Sequence, residues 1–389
     1  MKQQLFAHIE ANKATAFDMA WQIFDNPEIG TQEFFACKLL TDRLKELGFE
    51  TEIGVYGEET GFRAVWKQGE GGPVIGILGE YDALRQQGHA CGHHMQTPAA
   101  IAAFHALKDL VSQTGQPCTL VLYGTPAEEN GGGKIRMIDK GAFRDLDVAM
   151  VTHATGKQSY IASGSKALNS FFVNFHGKAA HASGAPHMGR SAADAMFLAF
   201  QGVEFMREHV KDDVRMHYTV MEGLGPSNVV CPLAKASFTV RCNDNRDLPD
   251  LAARMKKIFE GACLMTETTH EIIPKLPYLA RVPNHVLTNV AVENFRLIGC
   301  NVAPEILRPT NGSTDVGNVS LVVPTLNISV EYYDAPGHSE AWLEHGKSEW
   351  AENCLLRSAK MLASTAYDLI CNPELVRKAQ EEFRETMGN

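Results

Sequence analysis

The chain has 389 residues, 44% hydrophobic and 21% charged, with a formal net charge of −10. That length predicts two domains, and an acid excess without a long basic run argues against nucleic acid or an anionic membrane as partner. No stretch has the length of a transmembrane helix, the N-terminus lacks a signal-like apolar core, and nine scattered cysteines without a C-x-x-C pair fit a reducing, cytoplasmic setting.

Residues 2–25 carry Phe6, Ile9, Phe17, Trp21 and Phe24 at helical spacing, and a turn follows at Asn26-Pro27. A second helix is predicted from Thr31 to Leu47, with Gly48 ending it. Strands are expected at about 61–66, 73–78 and 118–123, and Thr97-Pro98 reads as a helix start between the last two. After a short helix over 133–141, the apolar run 147–152 reads as a strand ending at His153. Strands alternating with helices predict a largely parallel sheet. From about Gly164 the pattern changes to strands at 167–176, 214–222, 234–241 and 266–274, with helices at 191–210 and 248–262. That set predicts an inserted α+β unit of the ferredoxin-like sort. The α/β pattern then resumes, with a strand at 325–330 and a long helix at 349–369. The expected division is a discontinuous α/β domain, 1–165 and 282–389, interrupted by a separate unit at 166–281.

The chemistry gathers in Gly79-Glu-Tyr-Asp-Ala-Leu-Arg-Gln-Gln-Gly-His-Ala-Cys-Gly-His-His94. The apolar run Val74–Leu78 before it reads as a buried strand, so Glu80, Asp82, His89, Cys91, His93 and His94 fall at a strand's carboxyl end. Open α/β sheets build their sites there. Thiolate and imidazole suit a borderline-soft divalent ion, and Gly92 lets Cys91 and His93 aim at one point. The plainer alternative is a buried cysteine beside solvated histidines. Glu128 and Glu129 also follow a strand; one could bind metal while the other handles a proton, or both could line a solvated loop. His153 and His338 read by default as structural histidines. If these strand ends share one rim, Cys91, His93, Glu129, His153 and His338 meet there, and five ligands exceed the need of one zinc. Taken singly, His181, Asn228 and Arg241 read as a loop histidine, a turn residue and a surface arginine. Gly312-Ser-Thr-Asp315 is a polar turn whose N–H groups could hold an anion. No G-x-S-x-G, Walker loop or dinucleotide fingerprint is present.

Taken together, several segments resemble the aminoacylase and carboxypeptidase-G family of two-metal amidohydrolases. The resemblance is closest to the branch of indole-acetyl-amino-acid hydrolases and aminobenzoyl-glutamate hydrolase. The matching segments are Asn26-Pro-Glu-Ile-Gly-Thr-Gln-Glu33, Glu80-Tyr-Asp-Ala-Leu84, His89-Ala-Cys-Gly-His93, Gly124-Thr-Pro-Ala-Glu-Glu129, Gly177-Lys-Ala-Ala-His-Ala182, Asn228-Val-Val-Cys-Pro232 and Gly312-Ser-Thr-Asp-Val-Gly-Asn318. The resemblance implies a mostly parallel-sheet peptidase domain with an inserted lid and dimerisation domain. It implies two divalent ions, zinc or manganese, with cobalt or nickel as alternatives. Cys91 would bridge them, His93 and His153 would serve one, and Glu129 and His338 the other. Glu128 would be the general base and Asp82 the acid that orients a ligand. His181 would reach the partner subunit's site in a homodimer and stabilise the oxyanion. Asn228, Arg241, Gly312, Ser313 and Thr314 would hold the substrate carboxylate. Arg85 and His94 depart from the family's usual residues at their positions.

The implied activity is hydrolysis of the amide bond of N-acyl or N-aroyl amino acids or dipeptides. A two-metal phosphoesterase is a rival, although mixed Cys/His/Glu ligation serves phosphate chemistry less often than all-oxygen sites. A non-catalytic binding protein on the same fold is another, against which the pair Glu128 and Glu129, with His181, speaks.

Overall fold

In chain order the strands are β1 (Glu50–Ile53), β2 (Phe62–Gln68), β3 (Val74–Gly79), β4 (Cys118–Gly124), β5 (Val148–Thr155), β6 (Ser159–Gly164), β7 (Ala167–His176), β8 (Arg215–Glu222), β9 (Leu233–Cys242), β10 (Thr269–Pro274), β11 (Val302–Pro309) and β12 (Thr325–Glu331). This computed structural model describes residues 1–222 and 224–388. It divides into two units: Met1–Gly164, Arg281–Thr310 and Thr314–Asn389 form the first, and Ser165–Ala280 with Asn311–Ser313 the second. Residues 311–313 therefore go with the inserted unit, although they lie far along the chain in the segment expected to complete the α/β domain.

In the first unit eight strands pair in the order β1-β2-β4-β3-β5-β12-β6-β11. The central pairs β4/β3, β3/β5 and β5/β12 are parallel, as is β6/β11, while β1/β2, β2/β4 and β6/β12 are antiparallel. The apolar runs are continuous because both faces of the sheet are covered. Ile75, Ile77, Leu120, Leu122, Met150 and Ile328 enter one core with the helices His93–Thr114 and Glu349–Cys371. Leu78, Val121, Tyr123, Ala149 and Val151 enter another on the opposite face.

Several elements differ from expectation for local reasons. The first helix is broken into Lys2–Ala11 and Lys13–Asp25, because the Asn12 side chain donates to His8 O (2.9 Å) and closes the first segment. The next helix begins at Phe34, later than expected. The helix after the central loop starts at His93, before Thr97. Gly92, at φ +86°, turns the chain into it, and the Thr97 hydroxyl donates to Glu80 O (2.9 Å) from within the helix. Strand β5 runs through His153 to Thr155, held by its register with β12. Strands β1, β6 and β11 and the helix Pro373–Met387 are additional to those expected; β1 is short and polar, so its sequence carries no apolar alternation.

The second unit runs strand–helix–strand–strand–helix–strand, with sheet order β10-β7-β9-β8 and every neighbour antiparallel. Ala234, Ala236, Phe238 and Val240 alternate into its core with residues of the helices Ala192–Arg207 and Leu248–Thr266. The intervening Lys235, Ser237, Thr239 and Arg241 face the other side of the sheet, half-buried.

Candidate metal centre

Four neighbouring strands of the first unit present their carboxyl ends at one rim. Beyond β3 lie Glu80, Asp82, Cys91 and His93; beyond β4, Glu128 and Glu129; on β5, His153; beyond β12, His338. The rim gathers the five side chains singled out as ligands. Cys91 Sγ is 3.4 Å from His153 Nε2 and 3.3 Å from His338 Nε2, and His338 Nε2 is 3.4 Å from Glu129 Oε1. Cys91 belongs to two triads, one with His93 and His153 and one with Glu129 and His338, and the ligand atoms of each lie within 4.8 Å of one another. A third group joins Glu128 to His93 and Glu129.

Local structure aims these atoms. Asp82 is fully buried; its Oδ1 accepts from His93 Nδ1 (3.0 Å) and its Oδ2 from the Glu129 N–H (2.9 Å). His153 Nδ1 is bonded to Ala154 O (2.7 Å). With Nδ1–H donating in both histidines, the Nε2 lone pairs turn to the centre. His338 has a positive φ, +63°, and its N–H donates to Ala90 O (3.0 Å), which draws the β12 loop to the Cys91 loop. Ala127, just before the two glutamates, also has φ +60°. Its N–H donates to Glu33 Oε1 (2.8 Å), so a buried carboxyl from the Asn26–Glu33 segment holds this strained turn.

Electrostatics separate the adjacent glutamates. Burial, then Glu80 and Glu129, push the Glu128 carboxyl well above its ordinary range. Burial acts on Glu129 the same way, but the imidazoles of His338, 3.4 Å away, and His93 outweigh it and hold Glu129 at about 2. Burial also raises the Cys91 thiol well above its usual value. Behind the rim lies a cluster that sequence reasoning missed. Fully buried Lys134 donates to Glu80 Oε1 (2.6 Å) and Asp315 Oδ1 (2.7 Å), and Glu80 Oε2 stands 3.3 Å from His93 Nε2. Against burial, Lys134 and His93 hold Glu80 at about 2. Nothing in a short helix beginning Gly133-Lys134 marks that lysine as internal. His94, whose position departs from the family pattern, is a packing residue: its Nε2 bonds Gly346 O (2.8 Å), and its ring meets Phe24 edge-on.

In the second unit, Arg241 Nη1 donates to Ser313 Oγ (3.0 Å), and Ser313 Oγ donates to Lys166 O (2.7 Å). Gly312 and Ser313 belong to this unit and Thr314 to the first. His181 pairs with Val229 across a bridge, and Ala182 N–H donates to Asn228 O (2.9 Å). This bridge follows the His176 end of β7, which pairs with Leu233, whereas Arg241 sits at the opposite end, against Leu168. Eight strand residues span roughly 25 Å, so one copy of this unit does not bring Asn228 and Arg241 together.

The donor set fits divalent cations. His93 Nε2 and Glu129 Oε1 are buried without a well-formed hydrogen bond among the described residues, their long contacts being to Glu80 Oε2 (3.3 Å) and His338 Nε2 (3.4 Å), a condition that proteins rarely leave uncompensated. Tetrahedral zinc with one sulfur and one nitrogen ligand sets them about 3.5 Å apart, which the Cys91 distances of 3.4 and 3.3 Å match. Lys134, Glu80 and Asp315 form an ion cluster with its own cation and need none.

A mostly parallel sheet with this thiol, imidazole and carboxylate rim defines a metal-dependent hydrolase. The chain belongs to peptidase family M20/M25/M40, whose model matches residues 73–386. It is 30% identical to one of the polypeptides of p-aminobenzoyl-glutamate hydrolase of Escherichia coli K12, covering 97% of this chain and 93% of that protein. It is 32% identical to the human Xaa-Arg dipeptidase, over 93% of this chain and 87% of that one. A crystal structure of a dinuclear metal-binding M20 peptidase from Bacillus subtilis superposes with a TM-score of 0.68 at 19% identity, covering 93% of this chain and 99% of that one. The family and the branch are those that the motifs resemble.

Proposed function

We propose that this enzyme hydrolyses the amide bond of N-acyl or N-aroyl amino acids or dipeptides, using two divalent ions. The observation that carries the reading is the sharing of Cys91 Sγ by two ligand triads with Glu128 beside them. His93 and His153 would hold one ion and Glu129 and His338 the other, with Cys91 common to both. Bound there, zinc or manganese supplies Lewis acidity that lowers the pKa of water and polarises a carbonyl. Glu128 takes a proton from the attacking water and hands it to the leaving amine as the C–N bond breaks. Its raised proton affinity suits this, while the depressed Glu129 stays an anionic ligand.

Arg241, with Ser313, Gly312 and Thr314, takes the substrate carboxylate. His181, supplied by a second copy in a homodimer, stabilises the oxyanion, and Asn228 travels with it. The separation of the His181 bridge from Arg241 within one copy supports that exchange. No described helix is long and apolar enough to cross a membrane, and nine free cysteines suit a reducing cytoplasm.

The test loads purified protein with Zn²⁺, Mn²⁺ or Co²⁺ and assays acyl amino acids, aminobenzoyl-glutamate, dipeptides and phosphate esters. Amide hydrolysis that Glu128→Gln lowers by about 10²–10⁴-fold, with metal content kept, is the expected result. Turnover of phosphate esters alone would replace this reading.

A further inference from the structure

Away from the rim, a second set of ligand-type side chains gathers where two helices of the first unit meet. His105 and Asp109 lie four residues apart on the helix His93–Thr114 and so share one of its faces. The helix Lys2–Ala11 brings His8 to that face. His8 Nε2 is 2.8 Å from Asp109 Oδ2, and His105 Nε2 is 3.8 Å from the same oxygen. The two imidazole rings stand edge to face, with centroids 4.5 Å apart. One ligand atom from each of the three residues lies within 4.8 Å of the other two. His105 is twelve residues along its helix from His93, about 18 Å, so this group is separate from the rim.

An ion pair between His8 and Asp109 accounts only for the shortest of these contacts. It leaves the half-buried His105 side chain without a hydrogen bond among the described residues and sets a second imidazole against the first. Arg43 and Lys108 also act on His105, and both are engaged elsewhere: Arg43 Nη1 with Glu46 Oε2 (3.0 Å) and Lys108 Nζ with Leu47 O. Zinc bonds of about 2.0–2.1 Å in a tetrahedron hold neighbouring ligand atoms about 3.3 Å apart. The separations of 2.8 and 3.8 Å lie to either side of that value, so small side-chain rotations would seat one ion. We propose that His8, His105 and Asp109 bind a zinc ion, with water as fourth ligand, that clips the first helix to the helix His93–Thr114. Two imidazoles with one carboxylate favour zinc over magnesium or calcium. The clip has a structural use. A ten-residue helix is too short to be stable alone, and near its two ends this one is tied by ion pairs, Lys2 with Asp368 and Glu10 with Lys360, both 2.6 Å.

The test measures zinc by atomic emission after the full chain has been dialysed against buffered free Zn²⁺. His105→Gln should bind one ion fewer per chain than the parent and leave catalytic turnover unchanged. Asp109→Asn should do the same, and it gives a second reading should His105→Gln misfold. Cys91→Ala should keep a zinc ion that the double variant Cys91→Ala/His105→Gln loses, which reads the clip with the rim emptied. Zinc content equal in the parent and in both single variants overturns the site. A parent that holds a single ion, lost in His105→Gln, and hydrolyses no amide would leave the clip standing and remove the two-ion reading instead. Hydrogen exchange tests the clip itself. At free zinc about 100 times the dissociation constant, the amides of residues 2–11 should exchange about 10- to 100-fold more slowly in the parent than in His105→Gln. Equal protection in the two proteins overturns the clip.

Discussion

Asp82→Asn tests the buried carboxylate that ties both halves of the proposed metal centre together. Asp82 Oδ1 accepts from His93 Nδ1 at 3.0 Å and Oδ2 accepts from the Glu129 N–H at 2.9 Å, so one side chain orients a proposed ligand in each triad. Asparagine fills the same space but keeps a single acceptor. In either orientation its amide NH₂ faces a donor, the His93 N–H or the Glu129 N–H. One buried N–H then loses its side-chain acceptor, His93 keeping only the longer contact to the residue-82 carbonyl (3.2 Å), at about 1–3 kcal/mol. If that loss appears in metal binding it weakens affinity about 5–150-fold, which brackets the roughly 10–100-fold common for residues that orient metal ligands. The assay is competition with a chromophoric zinc chelator at fixed pH, beside kcat at saturating metal and far-ultraviolet circular dichroism. Unchanged zinc affinity, within about 2-fold, with an intact fold would refute the idea that Asp82 sets the ligand geometry.

Metal content separates the two triads: Cys91→Ala should lose both ions and His338→Ala chiefly one, so equal stoichiometry in the two variants would count against a shared sulfur. Lys134→Met leaves Glu80 and Asp315 buried without their cation and should cost about 3–5 kcal/mol in urea unfolding; a midpoint close to wild type would show that the cluster is not an ion cluster. Glu33 is pushed up to about 7, first by burial and then by Asp82. The native state therefore holds a proton that the unfolded chain releases between pH 4.5 and about 7, so this group's contribution to stability falls across that window by about 3 kcal/mol. The thermal midpoint of Glu33→Gln should accordingly gain on wild type from pH 5 to pH 8, and a pH-independent difference would contradict the raised carboxyl.

Much of the molecule was legible because it depends on local pattern. Apolar runs at 74–78, 118–123 and 147–152 mark strands buried on both faces, and the acids and ligands directly after them must fall at one rim once those strands run parallel. The change to alternating half-apolar strands from residue 167 marks the second unit for the same reason. Helix boundaries were less legible, because capping competes with tertiary bonds. Thr97 has the chemistry of a helix cap, yet its hydroxyl serves Glu80 O from inside a helix that begins at His93.

The chain alone determined which groups can ligate metal and on which strand ends they stand, since these follow from periodicity and side-chain chemistry. Only the tertiary structure decided their partners: Asp82 for His93 and Glu129, Lys134 for Glu80 and Asp315, Asp109 for His8. Such pairings depend on strand register, loop path and exclusion of water, which arise when distant segments meet and leave no trace in the spacing of residues along the chain.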